Sequence, residues 1–114
     1  MLTIKEKGVL LYIIKHCNRI IEKIDGVNEQ LFYESKDIQE IVCFNIFQIG
    51  ELAKNLSVEF VKEYNKVPWN LIKGMRDRIG HGYGTIQMDR VWKTAINDIV
   101  PLKDYCKEIL DLNK

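Results

Sequence analysis

Apolar residues recur at three- and four-residue spacings along almost the whole chain, and no stretch shows the strict alternation of a half-buried strand. Local signals divide this helical pattern into elements. Thr3 with Glu6 forms a capping-box pattern, which predicts a helix running to about Ile24 with Gly26 as its stop. A short helical piece is expected around Asn28 to Tyr33, and Ser35 can then cap a central helix over Lys36 to Leu56. Ser57 opens another short helix, Val58 to Tyr64, and Pro68 suits the first position of a helix reaching about Gly80. Asp89 can cap a helix from Arg90, and Pro101 either kinks that helix or starts a separate last one ending near Leu112. There is no internal repeat, low-complexity run or linker pattern. The expected fold is all-α, an antiparallel bundle of four to five main helices in a single domain spanning residues 1–114.

The central helix is the most informative. At about 100° per residue, Ile38, Ile41, Val42, Ile46, Ile49, Leu52, Ala53 and Leu56 share one broad arc, which reads as the core stripe. The opposite side carries Asp37, Glu40, Asn45, Gln48, Glu51 and Asn55, with Phe44 and Phe47 among them. Two aromatic rings on a polar face are costly to leave in water, so another surface should cover them. Either a second subunit or a neighbouring helix of the same chain can supply it.

Composition narrows the class. With 114 residues, 46% hydrophobic and 29% charged, the chain has the balance of an ordinary globular protein rather than a disordered or fibrous one. No apolar run approaches the roughly 18–20 residues needed to span a bilayer, and the N-terminal region lacks a signal-peptide pattern. Cys17, Cys43 and Cys106 are odd in number, far apart and form no Cys-x-x-Cys pair. Three buried thiols in a reducing cytoplasm is the plain reading, with no disulfide framework and no zinc site. The net charge of +1 excludes a uniformly basic polyanion binder, but it is unevenly spread. Between Lys62 and Lys93 there are seven basic and three acidic residues, a local +4 that leaves −3 for the rest. That half can attract a polyanion, and the acidic stretch from Asp25 to Glu40 can face a basic partner. Scattered solvated charge is the alternative.

The chemistry concentrates in Arg76-Asp77-Arg78-Ile79-Gly80-His81-Gly82-Tyr83, at the end of a predicted helix. Gly80, Gly82 and Gly84 can break that helix and allow a sharp turn. His81 can exchange a proton near neutral pH, and Arg76 can hold a phosphate while negative charge grows on its oxygens. Asp77 can orient one of them, and Tyr83 can hydrogen-bond a phosphate. These groups suit cleavage of RNA by its own 2′-hydroxyl, a phosphoryl transfer that needs neither metal nor cofactor. On a regular helix, positions five apart diverge by about 140°, so one copy makes an awkward site unless the helix breaks at Gly80 or a second copy completes it. The plainer alternatives are that Arg76 and Arg78 complement a helix C-terminus and that Tyr83 is a core tyrosine.

Asn45-Ile46-Phe47-Gln48-Ile49-Gly50-Glu51-Leu52-Ala53-Lys54, Val67-Pro68-Trp69, Gly74-Met75-Arg76 through Tyr83, and Val91-Trp92 together resemble the HepT-like branch of the HEPN superfamily, in order and over nearly the whole chain. The resemblance implies a homodimeric helical bundle and a metal-independent endoribonuclease toxin of a toxin–antitoxin system. Its Arg-x4-6-His motif falls on Arg76 and His81 as catalytic residues at a dimer cleft, with Asp77 as the polar residue after the arginine. It also implies a minimal nucleotidyltransferase antitoxin, forming a hetero-oligomer with the toxin and adding AMP to the motif tyrosine, here Tyr83. Bulky anionic AMP beside Arg76 would occupy the phosphate position and repel RNA. Gln48 and Glu51 match the helix signature; with Phe44 and Phe47 they are interface candidates, and a role for Gln48 and Glu51 in the site stays open. The rival reading is a non-catalytic helical binding subunit that regulates a nucleotidyltransferase complex.

Overall fold

A computed structural model describes residues 1–81 and 87–114, with His81 described through its backbone only. Seven helices make up the described residues, and no strand occurs among them. They are α1 (Ile4–Ile24), α2 (Glu29–Glu34), α3 (Lys36–Ala53), α4 (Val58–Glu63), α5 (Trp69–His81), α6 (Met88–Asn97) and α7 (Ile99–Leu112). The all-helical expectation holds.

Most starts follow from their caps. The Thr3 hydroxyl accepts from the Glu6 amide at 3.0 Å while Glu6 Oε1 accepts from the Thr3 amide at 2.9 Å, closing the capping box on α1. Gly26 takes a φ of +74°, a left-handed conformation that ends α1 and that a side chain would resist. Asn28 caps α2, Ser35 caps α3 and Ser57 caps α4, each side-chain oxygen accepting an amide of the first turn.

Three boundaries differ from expectation, and at a fourth a separate last helix forms, one of the two alternatives at Pro101. α3 stops at Ala53, before Leu56, which is nevertheless buried. Pro68 lies just outside α5, its carbonyl accepting from the Ile72 amide at 3.2 Å. α6 begins at Met88 after Gln87, so Asp89 sits inside the first turn, where its charge still favours the helix N-terminus. The chain breaks at Asp98 and Pro101 falls in the first turn of α7, where a missing N–H leaves no helical bond unmade.

α3 is the hub, packing most extensively against α1 and α5, while α1 packs in turn on α7. α3 and α5 run antiparallel: Phe47 lies by Gly80, and Gly50 lies by Arg76 and the Ile72 carbonyl. Val42, Ile46, Ile49, Ala53 and Leu56 are buried as the core stripe requires, and Ile38 and Leu52 are half-buried. Two positions are corrected. Ile41, expected in the core, is 38% exposed, and Asn45, expected on the outer face, is 2% exposed. Asn45 turns inward because it has partners there. Its Nδ2 donates to the Ile41 carbonyl at 2.8 Å, and its Oδ1 lies 2.8 Å from His16 Nδ1 on α1. Gln39 is likewise buried, its Nε2 donating to the Phe32 and Tyr33 carbonyls at the end of α2. The three thiols are buried, as expected. Among the described residues no helix is long and apolar enough to cross a membrane.

Candidate functional site

The motif arginine sits where α5 crosses α3, and the crossing depends on a residue without a side chain. A Cβ on Gly50 would lie 2.2 Å from Arg76 Cβ, 2.8 Å from its Cγ and 3.3 Å from the Ile72 carbonyl oxygen. No real side chain fits there, so Gly50 lets the backbone of α5 approach α3 and carries the Arg76 stem across it. One position further on, Glu51 accepts a hydrogen bond from Arg76 Nε through Oε1. Within α5, Asp77 Oδ1 accepts from Arg76 Nη1 at 2.7 Å.

A third α3 residue completes the seat. The Arg76 guanidinium carbon lies 5.2 Å from the centre of the Phe47 ring, a cation–π contact. Gly80 closes the edge of that ring, since a Cβ there would come within 3.2 Å of Phe47 Cε2. Arg76 is thus braced on two edges and against one face, with 22% of its side chain exposed. The hydrogen bond to Asp77, and then that to Glu51, push its pKa further up, so the guanidinium carries its charge at every working pH. Of its five N–H bonds, the two carboxylates take two and leave three without a partner among the described residues. Those donors can meet the oxygens of a phosphodiester. Lys54 adds a second cation, its Nζ 4.0 Å from the same Glu51 oxygen.

The structure sorts the interface candidates. Phe47 is half-buried, packed in part against Arg76 and Gly80 of α5. Glu51 pairs with Arg76 while 39% of its side chain stays exposed. Gln48 is half-buried on α3 and makes no side-chain hydrogen bond among the described residues. Phe44 remains 53% exposed, lining shallow grooves with Ile41 and Glu40 on one side and Phe47 and Ile79 on the other. The helix continues through Gly80 to His81, so the break considered at Gly80 does not occur there. The His81 side chain and Tyr83 lie outside the described residues. Among the described residues no group of three or more His, Cys, Asp or Glu side chains is arranged to hold a metal.

Gly50 went unnoticed in the sequence, although an isolated glycine inside a helical pattern signals a close approach. Lys54 carried no signal of its own.

Fold and crossing define a class: a small helical bundle that presents one braced, partly exposed arginine near the end of a helix. The family described as ribonuclease HepT-like matches residues 13–109, and the chain belongs to that family. It is 33% identical over 105 residues to "Putative RNase TTE0752" of Caldanaerobacter subterraneus subsp. tengcongensis, covering 92% of this chain and 94% of that protein. It is 31% identical over 87 residues to "Probable ribonuclease HepT" of Thermococcus cleftensis, covering 73% and 79% respectively. A third relative, "Gamma-glutamylcyclotransferase and putative RNase MJ0434" of Methanocaldococcus jannaschii, is 34% identical over 118 residues; the match covers 95% of this chain and 51% of that longer protein. No solved structure gives a significant match.

Proposed function

We propose that this protein is a metal-independent endoribonuclease, the toxin of a toxin–antitoxin pair, acting as a cytoplasmic homodimer of single-domain chains. The observation that carries the reading is the braced Arg76, with donors left for a phosphate, five residues before His81 in a chain of the ribonuclease HepT-like family. In the reaction the RNA 2′-oxygen bonds to the adjacent phosphorus as the bond from phosphorus to the 5′-oxygen breaks. A base takes the 2′-hydroxyl proton and an acid returns one to the 5′-oxygen, leaving a 2′,3′-cyclic phosphate and a 5′-hydroxyl. His81 serves as acid or base, Arg76 clamps the charge on the phosphoryl oxygens, and Asp77 orients Arg76.

In this reading the site is completed across a dimer. α5 is continuous from Trp69 to His81, positions five apart on a regular helix diverge by about 140°, and in this reading a second protomer supplies the complementary group. The exposed Phe44 patch is the surface available for that pairing. In the same reading a nucleotidyltransferase antitoxin neutralises the toxin by transferring AMP from ATP to the Tyr83 oxygen, with pyrophosphate leaving. The test is purified protein with RNA in chelator: cleavage is expected, and His81→Ala abolishes it. Cleavage that survives His81→Ala contradicts the mechanism.

The open Phe44 patch also favours a second reading, a non-catalytic subunit that binds a nucleotidyltransferase. It predicts a tight complex with that partner and no growth arrest when this chain is expressed alone.

A further inference from the structure

The way Arg76 is held restricts how it can meet a phosphate. A free guanidinium offers two bidentate edges, one through Nε and one Nη, the other through Nη1 and Nη2. Here Glu51 occupies the Nε–H, which removes the first edge. Asp77 takes one N–H of Nη1 at 2.7 Å, leaving the other and both on Nη2. Phe47 lies against the face at 5.2 Å and limits rotation of the plane, while Gly50 fixes where the stem crosses α3. Asp77 is the next residue on the same helix and moves with Arg76. Glu51 comes from a different helix, so its bond ties the guanidinium to α3.

From this geometry we infer that Glu51 is a positioning residue: it anchors Arg76 Nε and commits the remaining Nη donors to the scissile phosphodiester. The inference rests on the ribonuclease reading for its consequence in catalysis and on the α3–α5 crossing for its structural content. Glu51 touches no reacting atom. Its removal costs orientation, and misplacement of a charged clamp by about 1 Å typically lowers turnover about 10²-fold. Arg76→Lys would fail for the same reason, since an ammonium cannot fill the Nε bond and present a two-pronged edge together.

The experiment compares wild type, Glu51→Ala and Glu51→Gln in RNA cleavage and in the nitrogen-15 NMR signal of Arg76 Nε–H. In wild type that proton should be resolved and slow to exchange. Glu51→Ala should lose the signal and lower kcat about 10²-fold, with KM within about twofold and thermal stability nearly unchanged, as suits a half-exposed side chain. Glu51→Gln keeps a carbonyl acceptor and should recover part of both readouts. Wild-type kcat in Glu51→Ala, or a faster rate, overturns the inference, the faster rate because it would make Glu51 a competitor for the phosphate site. An Nε–H signal unchanged in Glu51→Ala overturns it as well. If wild-type protein cleaves no RNA, the function reading falls, and the NMR signal still decides whether Glu51 holds Arg76.

Discussion

α3 uses a polar side chain to tie down each of its two large neighbours, and the two ties differ in what they leave over. On α1 the tie is His16 to Asn45. Asn45 is 2% exposed, and its amide donates to the Ile41 carbonyl, so its oxygen is the acceptor and His16 Nδ1 the donor. Every hydrogen-bonding atom of that amide that lies buried has a partner. On α5 the tie is Glu51 to Arg76, charged, partly exposed and with guanidinium donors to spare. A closed pair specifies how helices pack and has nothing to offer a substrate. An open charged one holds a helix in place and keeps capacity for an anion. The structural and functional parts of α3 are separated in this way by less than two turns of helix.

Substitutions can break that separation. The largest effect is expected at Gly50→Ala, whose Cβ would meet Arg76 Cβ at 2.2 Å and the Ile72 carbonyl at 3.3 Å. Since backbone is involved, α5 must move away from α3, costing about 1–3 kcal/mol in chemical denaturation and RNA cleavage along with it. Asn45→Leu should cost a similar or smaller amount, about 1–3 kcal/mol, because His16 Nδ1 is left without its acceptor. Its cleavage rate per folded molecule should stay that of wild type, which is the contrast the two ties require.

The interior side of α1 also predicts a pH dependence. Burial pushes the Cys17 and Cys106 thiols up from 9.0 to about 12, and Cys43 to about 11. Unfolded chains ionise these thiols first, so their contribution is intact below pH 9.0 and is lost progressively as pH rises toward about 12. Replacing Cys17 with Ala should flatten that alkaline slope in a denaturation series. The smallest effect on the single chain is expected at Phe44→Ser, less than about 0.5 kcal/mol for an exposed site. If the Phe44 patch joins two copies, the same change should shift light scattering from dimer to monomer.

Much of this architecture was legible in the sequence, for physical reasons that also mark where legibility ends. Thr3, Ser35 and Ser57 act on amides of the adjacent turn, so local chemistry located three helix starts. Asn45 was misplaced because its burial depends on His16, 29 positions away on another helix. Periodicity sees only that a residue is polar. Phe47 stood out on its polar face and Glu51 matched the helix signature, but only the antiparallel crossing shows that Arg76 contacts both. Gly50 is legible in retrospect as the opening that permits the crossing. The motif supplied Arg76 and Asp77, and the fold added the residues that hold them.

The central claim is that Arg76 clamps a phosphodiester attacked by its own 2′-hydroxyl. The most direct measurement uses an RNA oligonucleotide and a matched one carrying 2′-deoxyribose at the scissile nucleotide, each incubated in chelator with wild type and Arg76→Ala. The account predicts 2′,3′-cyclic phosphate ends from the RNA alone, with the rate reduced about 10²–10³-fold or more in Arg76→Ala. Cleavage of the 2′-deoxy oligonucleotide at that position, or an undiminished rate in correctly folded Arg76→Ala, would contradict it.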